Sequence, residues 1–297
     1  MFENFQDSKS YVLAISGGVD SVVLLHMLVN QRPKSKFIVA HVNHGLRQQS
    51  ELESQRVHNL AKAYKLDFET TKLNLSKSSG QNQARVARYN FFHQIVDKYQ
   101  AQALVTAHHQ DDLIETMILN FIRGSRRRGL TSLKSTPFLL RPLLSMPKQA
   151  LINYAQQHQL TWSEDPTNQN LKYLRNRIRH QILPKISSNQ KIELLALHDK
   201  LLKINLDLDN FLNHYLEFKS YRRQGRVFSR QWFNQLDHNQ ACEVVTSWLI
   251  KYKVPNYTTS QILYIVVKLR TLSSGKTIII SDGQSIKFSK RSLRLEL

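Results

Sequence analysis

Three clusters of residues in this sequence have the types and spacing that chemistry on phosphates needs. Ser16-Gly17-Gly18-Val19-Asp20-Ser21 lies between two apolar runs, Tyr11–Ile15 and Val22–Val29. Two glycines let the backbone approach an anion closely. The serine hydroxyls add donors, and a helix starting there offers free N–H groups at the positive end of its dipole. The Lys-Ser/Thr pair of the nucleoside-triphosphate P-loop is missing, and the spacing differs from it. The second cluster is Asp111, Asp112 and Glu115, directly behind His108-His109. Spacings of three and four gather the acids on one face of a helix, where they suit Mg²⁺ or an ammonium group; capping of the helix start is the blander reading. The third cluster, Arg175, Arg177 and Arg179 with Asn176 and His180, suits a clamp on a phosphate or an RNA backbone. His41, His44, His108 and His109 also have the side chains of a zinc site.

The elements that must position these clusters are legible around them. Tyr11–Ile15, Phe37–Ala40, Phe68–Leu73 and Ala103–Ala107 read as strands; Val22–Val29, Glu51–Tyr64, Ala84–Tyr99 and Asp111–Ile122 read as helices. This alternation predicts an α/β fold, a parallel open sheet with helices on both faces, whose ligands bind beyond the carboxyl ends of the strands. Arg123–Arg141 reads as a basic connection in which Arg126, Arg127 and Arg128 form a flexible phosphate-contacting loop. Met146–Leu160 reads as a helix. After Ser187 the pattern changes to helical stretches, Ile192–Leu216, Val244–Lys251 and Gln261–Leu269, and a hairpin around Asp282-Gly283. The expectation is a catalytic domain over 1–187 and a smaller, mainly helical domain over 188–297 with a terminal β-hairpin.

Composition narrows the partners. The chain has 297 residues, with 42 Lys and Arg against 22 Asp and Glu, a formal charge of +20 that favours docking on a polyanion. A hydrophobic fraction of 41% excludes a disordered basic tail. A single cysteine, Cys242, excludes a disulfide scaffold, a four-cysteine zinc ribbon and an iron–sulfur cluster held by one chain. Apolar runs such as Ile262–Val267 fall far short of the ~20 residues a bilayer requires, and the N-terminus lacks the pattern of a signal peptide. A cytoplasmic location without a membrane is expected.

Six motifs then keep order and spacing. After the loop at 16–21 come His41-Val42-Asn43-His44-Gly45-Leu46-Arg47, Ala84-Arg85 with Arg88-Tyr89, and Thr106–Thr116. Arg141-Pro142-Leu143-Leu144, Glu164-Asp165-Pro166-Thr167-Asn168 and Arg175–His180 follow. Over residues 11–185 this resembles the tRNA(Ile)-lysidine synthetase family, in its short form, within the PP-loop ATP pyrophosphatases. The resemblance implies a ligase that uses ATP and Mg²⁺ to adenylate the wobble cytidine of a tRNA(Ile) and then joins free L-lysine to it. It implies that Ser16, Gly17, Gly18, Val19, Asp20, Ser21, His41 and His44 bind ATP, and that Asp20 and Asp112 hold the metal. Asp20, Asp111, Asp112, Glu115, Arg175 and Arg179 would serve catalysis. His108, Asp111, Glu115, Asp165, Asn168 and Asn176 would contact lysine or cytidine. Arg85, Arg126, Arg127, Arg128, Arg222 and Arg223 are expected to touch tRNA, although the run at 126–128 departs from the small residues usual there. Gln81 and Asn82 stand where relatives usually have glutamate. A tRNA cytidine thiolase on the same scaffold is the alternative; that chemistry usually calls on paired cysteines, and Cys242 is alone. The resemblance leaves a homodimer open.

Overall fold

The computed structural model describes residues 2–43, 49–73, 81–163, 171–219, 226–254, 257–281 and 284–296. The chain divides into two compact units, Met1–Arg123 with Ser132–Leu195, and Gly124–Thr131 with Ala196–Leu297. The expected boundary at 187/188 thus moves into a long helix, and a short segment of the basic connection joins the second unit.

The first unit is built on five parallel strands: β1 (Ser10–Ala14), β2 (Lys36–Asn43), β3 (Asp67–Lys72), β4 (Ala103–Val105) and β5 (Leu139–Leu140). Their order is β3-β2-β1-β4-β5, with Leu13 paired to Val39 on one side and to Val105 on the other. The helices are α1 (Val19–Gln31), α2 (Gln49–Ala63), α3 (Gln81–Lys98) and α4 (Gln110–Ile122); α5 (Arg127–Leu130) belongs to the second unit. Then come α6 (Lys148–Gln157), α7 (Leu174–Arg177) and α8 (Ser188–Lys219), the last shared between the units.

Alternation along β1 sends its side chains to two cores. Tyr11 and Leu13 pack with Val23 and Leu24 of α1, Val57 and Ala61 of α2, and Leu151 and Ala155 of α6. Val12 faces the other way, with Ile38, Ala40, Leu104 and the α3 residues Phe92 and Ile95. Helices therefore cover both faces. The two-residue β5 lies in what reads as a connection, because so short a strand leaves no periodic pattern. Chain order runs outward from β1 to β3, then crosses back to β4 on the opposite side of β1. This reversal opens a crevice between the ends of β1 and β4, where open α/β sheets bind ligands.

In the second unit, α9 (Arg230–Gln235), α10 (His238–Lys251) and α11 (Thr259–Thr271) accompany the later turns of α8. Helices α10 and α11 open on capping boxes, Asp237 with Gln240 and Thr258 with Gln261. An antiparallel sheet of four strands, in the order β6-β9-β8-β7, replaces the expected lone hairpin. It comprises β6 (Val227–Ser229), β7 (Thr277–Ser281), β8 (Gln284–Phe288) and β9 (Ser292–Glu296). Phe228, Ile286, Phe288, Leu293 and Leu295 of this sheet pack with Phe233, Trp248 and Ile265 in one core. No helix among the described residues is long and apolar enough to cross a membrane.

Candidate active site

The turn from β1 into α1 is held by hydrogen bonds from the Ser21 hydroxyl, the His41 ring and the Ser163 backbone. Gly17 adopts φ +87°, a conformation that favours glycine, and a Cβ there would press on Val57 Cγ2 at 3.2 Å. Ser21 Oγ donates to the Gly18 carbonyl at 2.8 Å and accepts the Gly17 N–H at 3.2 Å. Ser163 N–H donates to the Gly17 carbonyl at 2.9 Å. The His41 ring donates through Nδ1 to the Ile15 carbonyl at 2.8 Å. Gly18, in extended backbone, caps α1 without a side chain, which leaves the start of the helix facing outward.

Beyond this turn lies a cavity of about 400 Å³. The loop supplies Ser16, Gly18, Asp20 and Ser21 to its wall; α3 supplies Arg85, Arg88 and Tyr89. The segment after β4 supplies Thr106 and His108, α4 supplies Asp112, and Arg175 and Arg179 complete the lining. The arginines arrive because α7 continues as a π turn over Ile178–Ile182, and Ile178 and Leu183 pack on Ile114 and Leu119 of α4.

Carboxylates and cations interlock here. Asp112 Oδ1 accepts from Arg179 Nη2 at 2.7 Å, and its Oδ2 accepts the His109 backbone N–H at 3.1 Å. Glu115, with no exposed surface, accepts Arg179 Nε at 2.8 Å and also Arg175 Nε. The His109 Nε2 stands 3.3 Å from Asp112 Oδ2 and 3.6 Å from Asp20 Oδ2, while Lys148 Nζ lies 2.6 Å from Asp20 Oδ1. Burial pushes the Asp20 carboxyl up, but His109 and Lys148 outweigh it and hold the group below the usual carboxylate range. Burial likewise lowers the Arg179 guanidinium, and Glu115 and Asp112 more than reverse the effect.

The opposite wall carries cations without such compensation. Burial lowers the Arg88 pKa, assisted by Arg85 and Arg175 and opposed only by Tyr89. No carboxylate among the described residues faces Arg88, so an incoming anion would meet an unneutralised guanidinium. Burial also brings His108 down to about 4, Arg141, Arg175 and Arg85 acting in the same direction against Asp112. Its imidazole is therefore neutral at pH 7, and Nδ1 shares a 2.9 Å hydrogen bond with Thr106 Oγ1.

Ser16, Gly18, Asp20, Ser21, Arg85, His108, Asp112, Arg175 and Arg179 thus meet in one cavity, with Glu115 directly behind them. Gly17 shapes the loop, and Val19 points into the core. Other expected residues stand elsewhere. Asp111 does not line the cavity: its Oδ2 accepts the Lys148 backbone N–H and its Oδ1 the Lys191 ammonium, both at 3.2 Å. His41 is buried beneath the loop and does not line the cavity, and half-buried Asn176 does not line it either.

Arg127 and Arg128 do not form a flexible loop. Within the second unit both donate to Asp209 and to Glu243, at 2.6 to 3.4 Å, and Arg127 also reaches Asn205 at 2.9 Å. Arg126 precedes this short helix without a carboxylate partner among the described residues. His44, Asp165, Asn168, Arg222 and Arg223 lie outside the described residues. Arg88, Tyr89 and Thr106, which stand in the quoted motifs without an assigned role, line the cavity, and Lys148, which stands in none, reaches Asp20.

The PP-loop domain family matches residues 1–186, well over half of the chain. The chain belongs to the PP-loop family. Its curated relatives include the tRNA(Ile)-lysidine synthase of Lactobacillus johnsonii, 42% identical over 187 residues, which cover 60% of this chain and 43% of that protein. The tRNA(Ile)-lysidine synthase of Staphylococcus aureus is 32% identical over 260 residues, covering 81% of this chain and 60% of the relative. The matched regions thus span less than two thirds of these relatives' lengths. Among solved structures, the U34-tRNA thiolase NcsA from Methanococcus maripaludis has a TM-score of 0.56 at 19% identity, covering 67% of this chain and 73% of that one. At that identity the likeness is one of fold.

Proposed function

We propose that this chain joins free L-lysine to the wobble cytidine of a tRNA(Ile) in two steps. The cytidine O2 attacks the α-phosphorus of ATP, forming an O–P bond and expelling pyrophosphate. The lysine ε-amine, having given up its proton, then attacks C2, and the C2–O2 bond breaks as AMP leaves. The observation that carries this reading is the meeting, at one crevice, of the phosphate loop, four arginines and the carboxylates Asp20 and Asp112. It is joined by the names of the relatives cited above.

Each group has work in that scheme. The loop at 16–21 binds the leaving pyrophosphate through backbone N–H groups and the Ser16 and Ser21 hydroxyls. Arg85, Arg88, Arg175 and Arg179 counter the charge at the α-phosphorus. Neutral His108 offers a hydrogen bond to base or nucleotide, and Glu115 holds Arg175 and Arg179 at the site. Asp165 and Asn168 complete the lysine or cytidine pocket in this reading. Arg126, Arg222 and Arg223 engage the tRNA, a task that belongs in the cytoplasm.

Mg²⁺ suits the donor set. Asp20 and Asp112 both line the cavity, and their Oδ2 atoms already converge on one nitrogen, His109 Nε2. Two carboxylate oxygens so placed fit a hard cation that takes oxygen ligands. When bound, the ion would neutralise charge on the departing pyrophosphate.

Incubation with ATP, radiolabelled lysine and a tRNA(Ile) bearing a wobble cytidine tests the reading. Labelled RNA is the expected product, with pyrophosphate released even when lysine is omitted. An authentic substrate tRNA that acquires no lysine would refute it. Incorporation of sulfur instead would establish the thiolase alternative, which has little here to support it: Cys242 is buried in the second unit's core.

A further inference from the structure

We propose that Lys148 is an exchangeable counter-ion of the phosphate loop, bound to Asp20 while the site is free of nucleotide and transferred to the pyrophosphate group when nucleotide binds. The inference rests on the ATP-binding reading of that loop. Lys148 Nζ lies 2.6 Å from Asp20 Oδ1, and Asp20 is its sole carboxylate partner among the described residues. About a third of each side chain is exposed, 34% and 29%, so the pair is open to exchange rather than sealed into the core. The same oxygen-rich carboxylate is the one a metal–nucleotide complex would claim. An ammonium on a flexible four-carbon stem can give up one anion for another by rotating its own bonds, which a guanidinium locked in a fork cannot do as freely.

The backbone from which that stem swings is pinned. Lys148 is the first residue of α6, after Pro147, and its N–H donates to Asp111 Oδ2 at 3.2 Å. Asp111 Oδ1 is held in turn by Lys191 Nζ at 3.2 Å. A fixed main chain with a movable side chain is what a transfer between two nearby anions requires. Asp111 accordingly becomes a positioning residue for Lys148.

Calorimetric titration of the full chain with inorganic pyrophosphate, without divalent cation, tests this. Lys148→Gln is expected to weaken pyrophosphate binding about 10- to 100-fold, the worth of one hydrogen bond between charged groups. Lys148→Arg, which keeps the charge, should recover most of that loss. Asp20→Asn removes the competing anion, so metal-free pyrophosphate should bind several-fold tighter. Asp111→Asn should weaken binding in the wild-type chain and add nothing in a Lys148→Gln background, the non-additivity expected of residues acting as one unit. Thermal melts of each variant check that it folds. A Lys148→Gln protein that melts normally and binds pyrophosphate within two-fold of wild type overturns the assignment, as does weaker binding by a folded Asp20→Asn protein. Wild-type chain that binds no pyrophosphate at all would overturn the ATP reading of the loop as well. Pyrophosphate binding that depends on Lys148, in a protein that incorporates no lysine into tRNA, would leave the inference standing and refute only the ligase assignment.

Discussion

Arg179 donates its Nε to Glu115 Oε2 at 2.8 Å across 64 residues of sequence, and Glu115 exposes none of its surface. The same guanidinium reaches Asp112 Oδ1, so one side chain ties the buried acid to the acid that lines the cavity. Removing one partner of a buried ion pair leaves an uncompensated charge. Because the two guanidiniums left behind are partly exposed and Arg179 keeps Asp112, Glu115→Ala is expected to destabilise the first unit by about 1–3 kcal/mol, as judged by urea unfolding. Arg175→Ala should cost less, because that arginine is 42% exposed.

Asp20 should be separable from RNA binding. Asp20→Ala is predicted to reduce tRNA-dependent pyrophosphate release by at least about 100-fold, the scale on which single groups stabilise transition-state charge. Affinity for tRNA, measured by filter binding, should stay within a few-fold of wild type. A large loss of tRNA affinity would show that the loop had been misassigned.

Acid should weaken the fold in a defined window. With a folded-state pKa of about 4 against 6.5 unfolded, His108 takes up its proton in the unfolded chain first. Stability from keeping it neutral is complete above about pH 6.5 and is lost progressively toward pH 4. Asp20, whose pKa is lowered from 3.8, contributes above that value and loses its contribution as the pH falls through the folded pKa. Tm should therefore be lower at pH 5 than at pH 7, and His108→Gln should shrink the difference.

The three consecutive arginines should behave unequally. Arg127→Ala breaks contacts to Asp209, Glu243 and Asn205 and is predicted to cost about 1–3 kcal/mol in stability. Its effect on the salt dependence of tRNA binding should be small. Arg126→Ala should leave stability unchanged and lower the slope of log affinity against log salt by about one phosphate contact. Paired melts and salt titrations distinguish the two.

Much of the first unit is legible before any coordinates. Strands at Tyr11–Ile15 and Ala103–Ala107, each followed by a polar turn, announce a parallel sheet with a glycine turn at a strand end, because periodicity and glycine placement are local properties. The Asp112–Glu115 pair follows from helical spacing alone. What spacing could not separate was Asp111 from its neighbours. One residue turns a helix by about 100°, and only the positions of α6 and α8 show that Asp111 meets Lys148 and Lys191. Arg127 and Arg128 read as an exposed basic run because their acids, Asp209 and Glu243, lie 81 to 116 residues away in the chain.

The sequence by itself determined the glycine turn between the first strand and the first helix, the alternation of strands and helices, and the positive charge that favours a polyanion. These depend on residues near one another in the chain, whose geometry the backbone dictates. Tertiary structure alone decided which carboxylate lines the cavity and which holds its wall, that Lys148 answers Asp20, and that Arg127 and Arg128 hold the second unit together. In each case the partner comes from a distant segment, and its distance is set by how helices pack on the sheet or on each other rather than by any count of residues.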